Sequence, residues 1–171
     1  MKPVPKPVKQ PKKKKRKKGR SERSKLTTYI DQYDSDFCLM INNYECIMCG
    51  GHANQTHHYF LKSSHGNVRF NRDNHCAVDF ACHRRRIHDA CEVEELRDKL
   101  IAKIGLGSFD ELKSLAYLVA DFSEKDLMDM LQKKKVEMAI LAEIYPERVS
   151  LMSDAGRKRL EAAKNYKQSL G

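Results

Sequence analysis

The sequence has no run of about 18 apolar residues, and its cationic N-terminus lacks the apolar block of a secretory signal. These two absences argue against a membrane span and against export, so we expect a cytoplasmic protein. No internal repeat is visible, and 171 residues fit one globular unit with tails. Because intracellular thiols stay reduced, the six cysteines are better explained as metal ligands and buried thiols than as three disulfides.

Acidic residues are almost absent from residues 1–25, which hold 13 Lys/Arg and the single Glu22. This segment carries a net charge of +12 within a chain total of +10, which leaves the remainder slightly acidic. Its low apolar content predicts a disordered basic tail. A solubilising tail or an import signal would have the same composition, but charge density favours contact with nucleic-acid phosphates. The residues expected to make it are Lys12, Lys13, Lys14, Lys15, Arg16, Lys17 and Lys18.

A short helix is predicted directly after the tail, in the segment "LTTYIDQYDSDFCLMINNYE". Ser35 or Asp36 would cap it, because both residue types are favoured at a helix start. Phe37, Met40 and Ile41 would then share one face.

Apolar residues past the Cys/His region recur at helical spacing. They predict helices at about 96–104, 108–120, 123–144 and 153–167. The third opens at Ser123 with Asp126 three residues later, which is close to a capping box. The fourth is mostly charged, and we expect it to fray. The apolar stripes are interpreted as core or as a partner surface.

All seven His and four of the six Cys lie within residues 46–88. This concentration predicts bound metal, and two ions account for it better than one. His52, His65 and His75 are interpreted as surface residues, with His75 the first exception to consider because it flanks Asn74.

The motif "CIMCGG" contains Cys46 and Cys49 and predicts a zinc knuckle, in which the two glycines permit the turn. Cys82 is a third candidate ligand. The fourth is either Asp79, a permitted oxygen ligand at the offset of a second CxxC, or Cys76, which is softer. The alternative is that the thiols are core residues without a metal.

The adjacent His57 and His58 lie in a segment that favours a strand, so their side chains should point to opposite faces and do separate work. His83 would lie in the first turn of a helix that begins near Phe80. His88 follows five residues later, and an α-helix would rotate it by about 140° from His83. His88 is therefore disfavoured as a co-ligand.

Three consecutive arginines follow His83, and their guanidinium groups fit phosphates bidentately. The alternative is a solvated charged face. The residues expected to contact nucleic acid are Arg84, Arg85 and Arg86, and the track is extended by Lys62, Arg69 and Arg72.

The order CxxC, paired His, Asn, then Cys-His opening a basic helix resembles the HNH, or His-Me finger, endonucleases. Asn74 lies 16 residues after His58, and His83 lies nine after Asn74, as that motif expects. The segments "FCLMINNYECIMCG", "VRFNRDN" and "ELRDKLIAKIG" also resemble the NinG (Rap) family of phage recombination nucleases. The resemblance covers roughly residues 35–105.

The resemblance implies an α+β fold with a small ββα-metal (HNH) core and a structural zinc knuckle at residues 26–105. A C-terminal helical region would follow at 106–171. His58 would be the general base and Asn74 would brace the loop between the strands. His57 and His83, with His88 as a further candidate, would hold one catalytic ion, either Mg²⁺, Mn²⁺ or another transition metal.

The implied function is a metal-dependent DNA endonuclease. It would cut branched or single-strand-containing DNA during phage or prophage recombination in the bacterial cytoplasm. The C-terminal helices would dock a recombination protein. The alternative is a zinc-stabilised DNA-binding or adaptor module without hydrolysis, which would need neither a base nor its brace.

Overall fold

The structure is a computed structural model that describes residues 20–89 and 92–170. Within these ranges the chain is mostly helical, with one two-stranded antiparallel sheet, which confirms the α+β class. The proposed phosphate contacts at residues 12–18 lie outside the described residues. The elements are α1 (Glu22–Ile41), β1 (Gln55–His58), β2 (His75–Val78), a π-helix (Cys82–Asp89), α2 (Val93–Ile104), α3 (Leu106–Ala116), α4 (Glu124–Ile144) and α5 (Asp154–Gln168).

Helix α1 is much longer than predicted. It is capped by Ser21, whose Oγ accepts a hydrogen bond from the Ser24 amide, so residues 22–25 are helical and do not belong to a disordered tail. Ser35 and Asp36 lie inside the helix. The Asp36 carboxylate pairs with Arg159 of α5 at 2.6 and 2.9 Å. This ion pair, and not a capping role, accounts for an acidic residue at this position.

The predicted C-terminal helices are present with shifted ends. Ser123 and Asp126 form a complete capping box at the start of α4. Helix α3 ends at Ala116, four residues earlier than expected, and leaves Val119 95% exposed. Helix α5 packs on α4 and buries Leu160 completely, so the prediction that it frays was wrong.

Helix α1 connects the C-terminal helices to the sheet, because it packs against α4 and against both strands. The buried Asp34 carboxylate lies 2.6 Å from the Lys134 ammonium of α4. Burial raises the pKa of Asp34 to about 6. These ion pairs fix α1, so that Asp31 and Ser35 are presented to the cleft beside the sheet.

The two strands pair in a register that places His57 opposite Cys76 and His58 opposite His75. The loop between the strands contains two short 3₁₀ turns, Gly66–Val68 and Arg72–Asn74. None of the helices in the described ranges is long and apolar enough to cross a membrane.

Candidate metal centres

The first centre is a group of four side chains that we call the cysteine group. It consists of Cys46, Cys49, Asp79 and Cys82, and one ligand atom from each lies within 4.8 Å of the others. Three thiols and a carboxylate at this separation suit a tetrahedral zinc ion. The cysteine group can therefore hold a metal such as zinc.

The turn that carries Cys46 and Cys49 is closed by backbone hydrogen bonds. The Cys46 amide donates to the Gly51 carbonyl at 2.7 Å, and the Gly50 amide donates to the Cys46 carbonyl at 2.8 Å. Gly50 has a φ of +72°, a conformation in which glycine carries no steric penalty. The Gly51 amide also donates to Cys49 Sγ at 3.4 Å, which favours the thiolate that a metal requires.

The two carboxylate oxygens of Asp79 make different contacts. Its Oδ1 accepts hydrogen bonds from the Ala81 and Cys82 amides at 2.6 and 3.1 Å, which caps the helix that follows. Its Oδ2 lies 3.3 Å from Cys49 Sγ. Hydrogen bonds, first of all from the Cys82 side chain, hold the pKa of Asp79 well below its usual range. This carboxylate is therefore charged and directed at the thiols.

Cys76, the alternative fourth ligand, lies outside the cysteine group. It is fully buried in the hydrophobic core on strand β2, and burial raises the pKa of its thiol to about 12. The position of this strand in the core therefore removes Cys76 from the choice, and Asp79 completes the set.

The second centre, the imidazole triad, consists of His57, His83 and His88, with one ring nitrogen of each within 4.8 Å of the others. The Nε2 atoms of His83 and His88 are 3.2 Å apart. Two imidazole nitrogens bound to one ion at about 2.1 Å would be roughly 3.0–3.4 Å apart, so this spacing fits a shared transition metal. Burial lowers the pKa of His57 to about 4, which keeps the ring in the neutral form that binds metal.

His88 joins the triad because residues Cys82–Asp89 form a π-helix. The expectation of an α-helix, with a 140° rotation between His83 and His88, was wrong. In a π-helix residue i bonds to residue i+5, so two side chains five residues apart lie on the same face. Cys82 and His83 are consecutive, and each belongs to a different centre.

His58 contacts a different partner from its neighbour His57. Its Nε2 lies 2.9 Å from His75 Nε2, and its half-buried ring lines an open cleft of about 410 Å³ together with the imidazole triad. Burial is the largest of the effects that lower the pKa of His58, so the neutral ring, the form that can accept a proton, is favoured at neutral pH.

His75 is 2% exposed, so its interpretation as a surface residue was wrong. Its Nε2 also lies 2.9 Å from the carbonyl oxygen of Arg69. Because a carbonyl only accepts, this nitrogen carries the ring hydrogen. The Arg69 side chain is in turn held by Asp31 of α1 at 2.6 and 2.9 Å. The signal available in the sequence was the position of His75 directly after Asn74.

Asn74 is fully buried at the end of the loop between the strands. Its Oδ1 accepts from the Phe60 amide at 2.7 Å, and its Nδ2 donates to the Phe60 and Val68 carbonyls at 3.0 and 3.1 Å. Phe60 lies two residues after His58. The Asn74 side chain therefore fixes the chain where it leaves β1.

Replacing Asn74 with alanine is expected to lower the free energy of unfolding by about 3 kcal/mol, because three buried or partly buried backbone groups lose their partner. Urea denaturation measures the change. Asn67→Ala is the matched control, since that amide makes one hydrogen bond, to the Leu115 carbonyl, and should cost about 1 kcal/mol. Equal losses in the two variants would contradict the role of Asn74 as a brace.

The three arginines of the π-helix differ in environment. Arg84 and Arg85 are exposed. Arg86 is bound at 2.6 Å by both Glu92 and Glu95, and these carboxylates raise its pKa further. Arg86 therefore ties the π-helix to α2, and its contact with phosphate stays a prediction.

The three further cations predicted to contact nucleic acid, Lys62, Arg69 and Arg72, form ion pairs with acidic side chains. Lys62 and Arg69 both pair with Asp31, at 3.3 and 2.6 Å. Arg72 pairs with Glu137 and lies over the Phe37 ring, 3.6 Å from its centroid. Of these three side chains only Lys62 is exposed beside the cleft.

The fold and the two groups of ligating side chains define a mostly helical α+β protein with candidate metal centres. The family model of the bacteriophage lambda NinG protein matches residues 6–143. This match spans most of the chain, which therefore belongs to the NinG family. Comparison with curated proteins and with solved structures gave no match.

Proposed function

We propose that this protein is a metal-dependent DNA endonuclease of the HNH, or His-Me finger, type that acts in phage recombination. The observation that carries the proposal is one cleft lined both by the imidazole triad and by His58, which is not a member of the triad. The β-β-helix order of the segment agrees with the proposal. Membership in the NinG family supports the role in phage recombination.

The chemistry divides between the two sets of imidazoles. Hydrolysis of a phosphodiester needs a base for the attacking water and stabilisation of the negative charge that develops on the leaving oxygen. His58 takes the proton of the water, and Asn74 keeps its strand end in place. His57, His83 and His88 would hold the divalent ion, which supplies Lewis-acid stabilisation when bound. Imidazole ligands favour Mn²⁺ or another transition metal over Mg²⁺.

The substrate we propose is branched or single-strand-containing DNA in the bacterial cytoplasm. Arg84 and Arg85 are exposed and follow His83 in the chain, and the exposed Lys62 lines the cleft, which supports contact of these cations with its phosphates. The C-terminal region docks a recombination protein, and the exposed Leu118 and Val119 after α3 support such a contact.

A second candidate is a zinc-stabilised DNA-binding module without hydrolysis. The cysteine group favours it, because its four ligands need no residue of the imidazole triad. Incubation of the zinc-loaded protein with labelled four-way and forked DNA, in the presence of Mg²⁺ or Mn²⁺, separates the two candidates. Cleavage by the wild type supports the nuclease, whereas binding without products under either ion supports the module.

Deleting residues 1–19 is expected to weaken DNA binding and to flatten its salt dependence while leaving the melting temperature unchanged. The segment holds 10 Lys/Arg, and each phosphate contact that is lost lowers the slope of log K against log salt by about 0.7–0.9. Ending the deletion at residue 19 retains Ser21, the cap of α1. Fluorescence anisotropy at several salt concentrations measures the slope.

The control for this deletion keeps the full chain and replaces the basic residues at 12–18 with glutamine. It should reproduce most of the loss if charge is responsible. A salt slope equal to that of the wild type in both variants would show that the tail does not contact DNA.

A further inference from the structure

Gln55, the first residue of β1, lies beside the imidazole triad. Its Oε1 is 2.7 Å from Nδ1 of His83, although the two residues are 28 positions apart in the chain. An amide oxygen only accepts hydrogen bonds, so Nδ1 carries the hydrogen of the neutral ring. The electron pair of His83 is then on Nε2, the atom that lies 3.2 Å from His88 Nε2.

The opposite orientation of the Gln55 amide would prevent the imidazole triad from sharing an ion. If the Gln55 NH₂ group faced His83, Nδ1 would have to accept, and the ring hydrogen would move to Nε2. That hydrogen would point at His88, into the space that a shared ion needs. The orientation with Oε1 toward His83 is therefore the one compatible with metal binding.

Strand geometry explains why Gln55 is in place to do this. Residues two apart on a strand share a face, so Gln55 and His57 lie on the same side of β1. One strand face thus supplies a ligand of the triad and also the amide that contacts a second ligand on the π-helix. The His83 ring is half-buried on the π-helix, and its Nδ1 is held by this contact with Gln55.

We propose that Gln55 is a positioning residue for the divalent ion of the cleft: by accepting the hydrogen bond from His83 Nδ1, it fixes the ring so that Nε2 is offered to the ion. This inference rests on the ion site of the proposed function. Partners of this kind, which orient a ligating histidine, change metal affinity by about 10- to 100-fold when they are removed.

The test is a Co²⁺ titration of the zinc-loaded, full-length protein, followed by visible absorption. Gln55→Leu is expected to weaken Co²⁺ binding by about 10- to 100-fold. Gln55→Glu keeps an acceptor for Nδ1 and should bind at least as tightly as the wild type. Asn54→Leu, the same kind of change one residue earlier at an exposed side chain, should have no effect.

A general loss of structure is recognised separately. Zinc content and melting temperature should be unchanged in Gln55→Leu, and His57→Ala should abolish Co²⁺ binding as a positive control. Wild-type affinity in Gln55→Leu, or a Gln55→Glu variant as weak as Gln55→Leu, would overturn the role of Gln55.

The outcome for Gln55 is distinguishable from that for the nuclease. A wild-type protein that binds Co²⁺ in the cleft but cuts no DNA would overturn the proposed function and leave the Gln55 inference standing. A wild-type protein that binds no Co²⁺ there would overturn both.

Discussion

Replacing Cys46 with serine is expected to unfold or aggregate the protein. Cys46 is 1% exposed, and the cysteine group joins the turn at residues 46–51 to the start of the π-helix. Metal binding in small zinc modules supplies folding free energy on the order of 10 kcal/mol, which is comparable to the whole stability of a domain. Circular dichroism melting together with zinc analysis of the purified protein measures the effect.

Two further variants identify the fourth ligand. Asp79→Asn keeps a good helix cap but removes the charged oxygen, so zinc affinity should fall while the helix start is retained. Cys76→Ala removes a buried thiol and should cost some stability, yet its zinc content should equal that of the wild type. Loss of zinc in Cys76→Ala would contradict the choice of Asp79 as the fourth ligand. An unaltered melting curve in Cys46→Ser, with no zinc in that variant or in the wild type, would contradict the zinc site itself.

The second large effect is expected at His58. His58→Ala should lower the cleavage rate by about 10²- to 10⁴-fold, the usual contribution of a general base, because no other group would accept the proton of the attacking water. DNA affinity and zinc content should be unchanged, since His58 belongs to neither the cysteine group nor the exposed cations. Single-turnover cleavage of end-labelled branched DNA measures the rate.

A second variant at His58 separates the loss of the base from the loss of a polar contact with His75. His58→Gln retains a polar group beside His75 but cannot act as a base at neutral pH, so its cleavage rate should also fall. His52→Ala is the control, because this exposed ring is stacked on Tyr44 and does not line the cleft. Cleavage by His58→Ala at the wild-type rate would show that another group is the base.

The cysteine group was largely predictable because its signals are local. The spacing of Cys46 and Cys49 and the glycines that follow specify a turn within six residues. The choice between Asp79 and Cys76 was not predictable, because it depends on the burial of β2 in the core, which keeps the Cys76 thiol away from the cysteine group. Only the packed structure decides that question.

Other features depend on contacts that are distant in the chain. Asp36 was interpreted as a helix cap because the local sequence does not show its partner, Arg159, which lies 123 residues away. The π-helix has no distinctive composition, and the five-residue spacing of His83 and His88 was the one available sign of it. His75 was misjudged because its burial follows from strand pairing across the loop.

The adjacency of Cys82 and His83 links the two centres mechanically. A single peptide unit separates a thiol of the cysteine group from an imidazole that lines the cleft. A metal bound at the cysteine group would restrain the backbone at Cys82 and, through this peptide unit, the position of the His83 ring in the cleft.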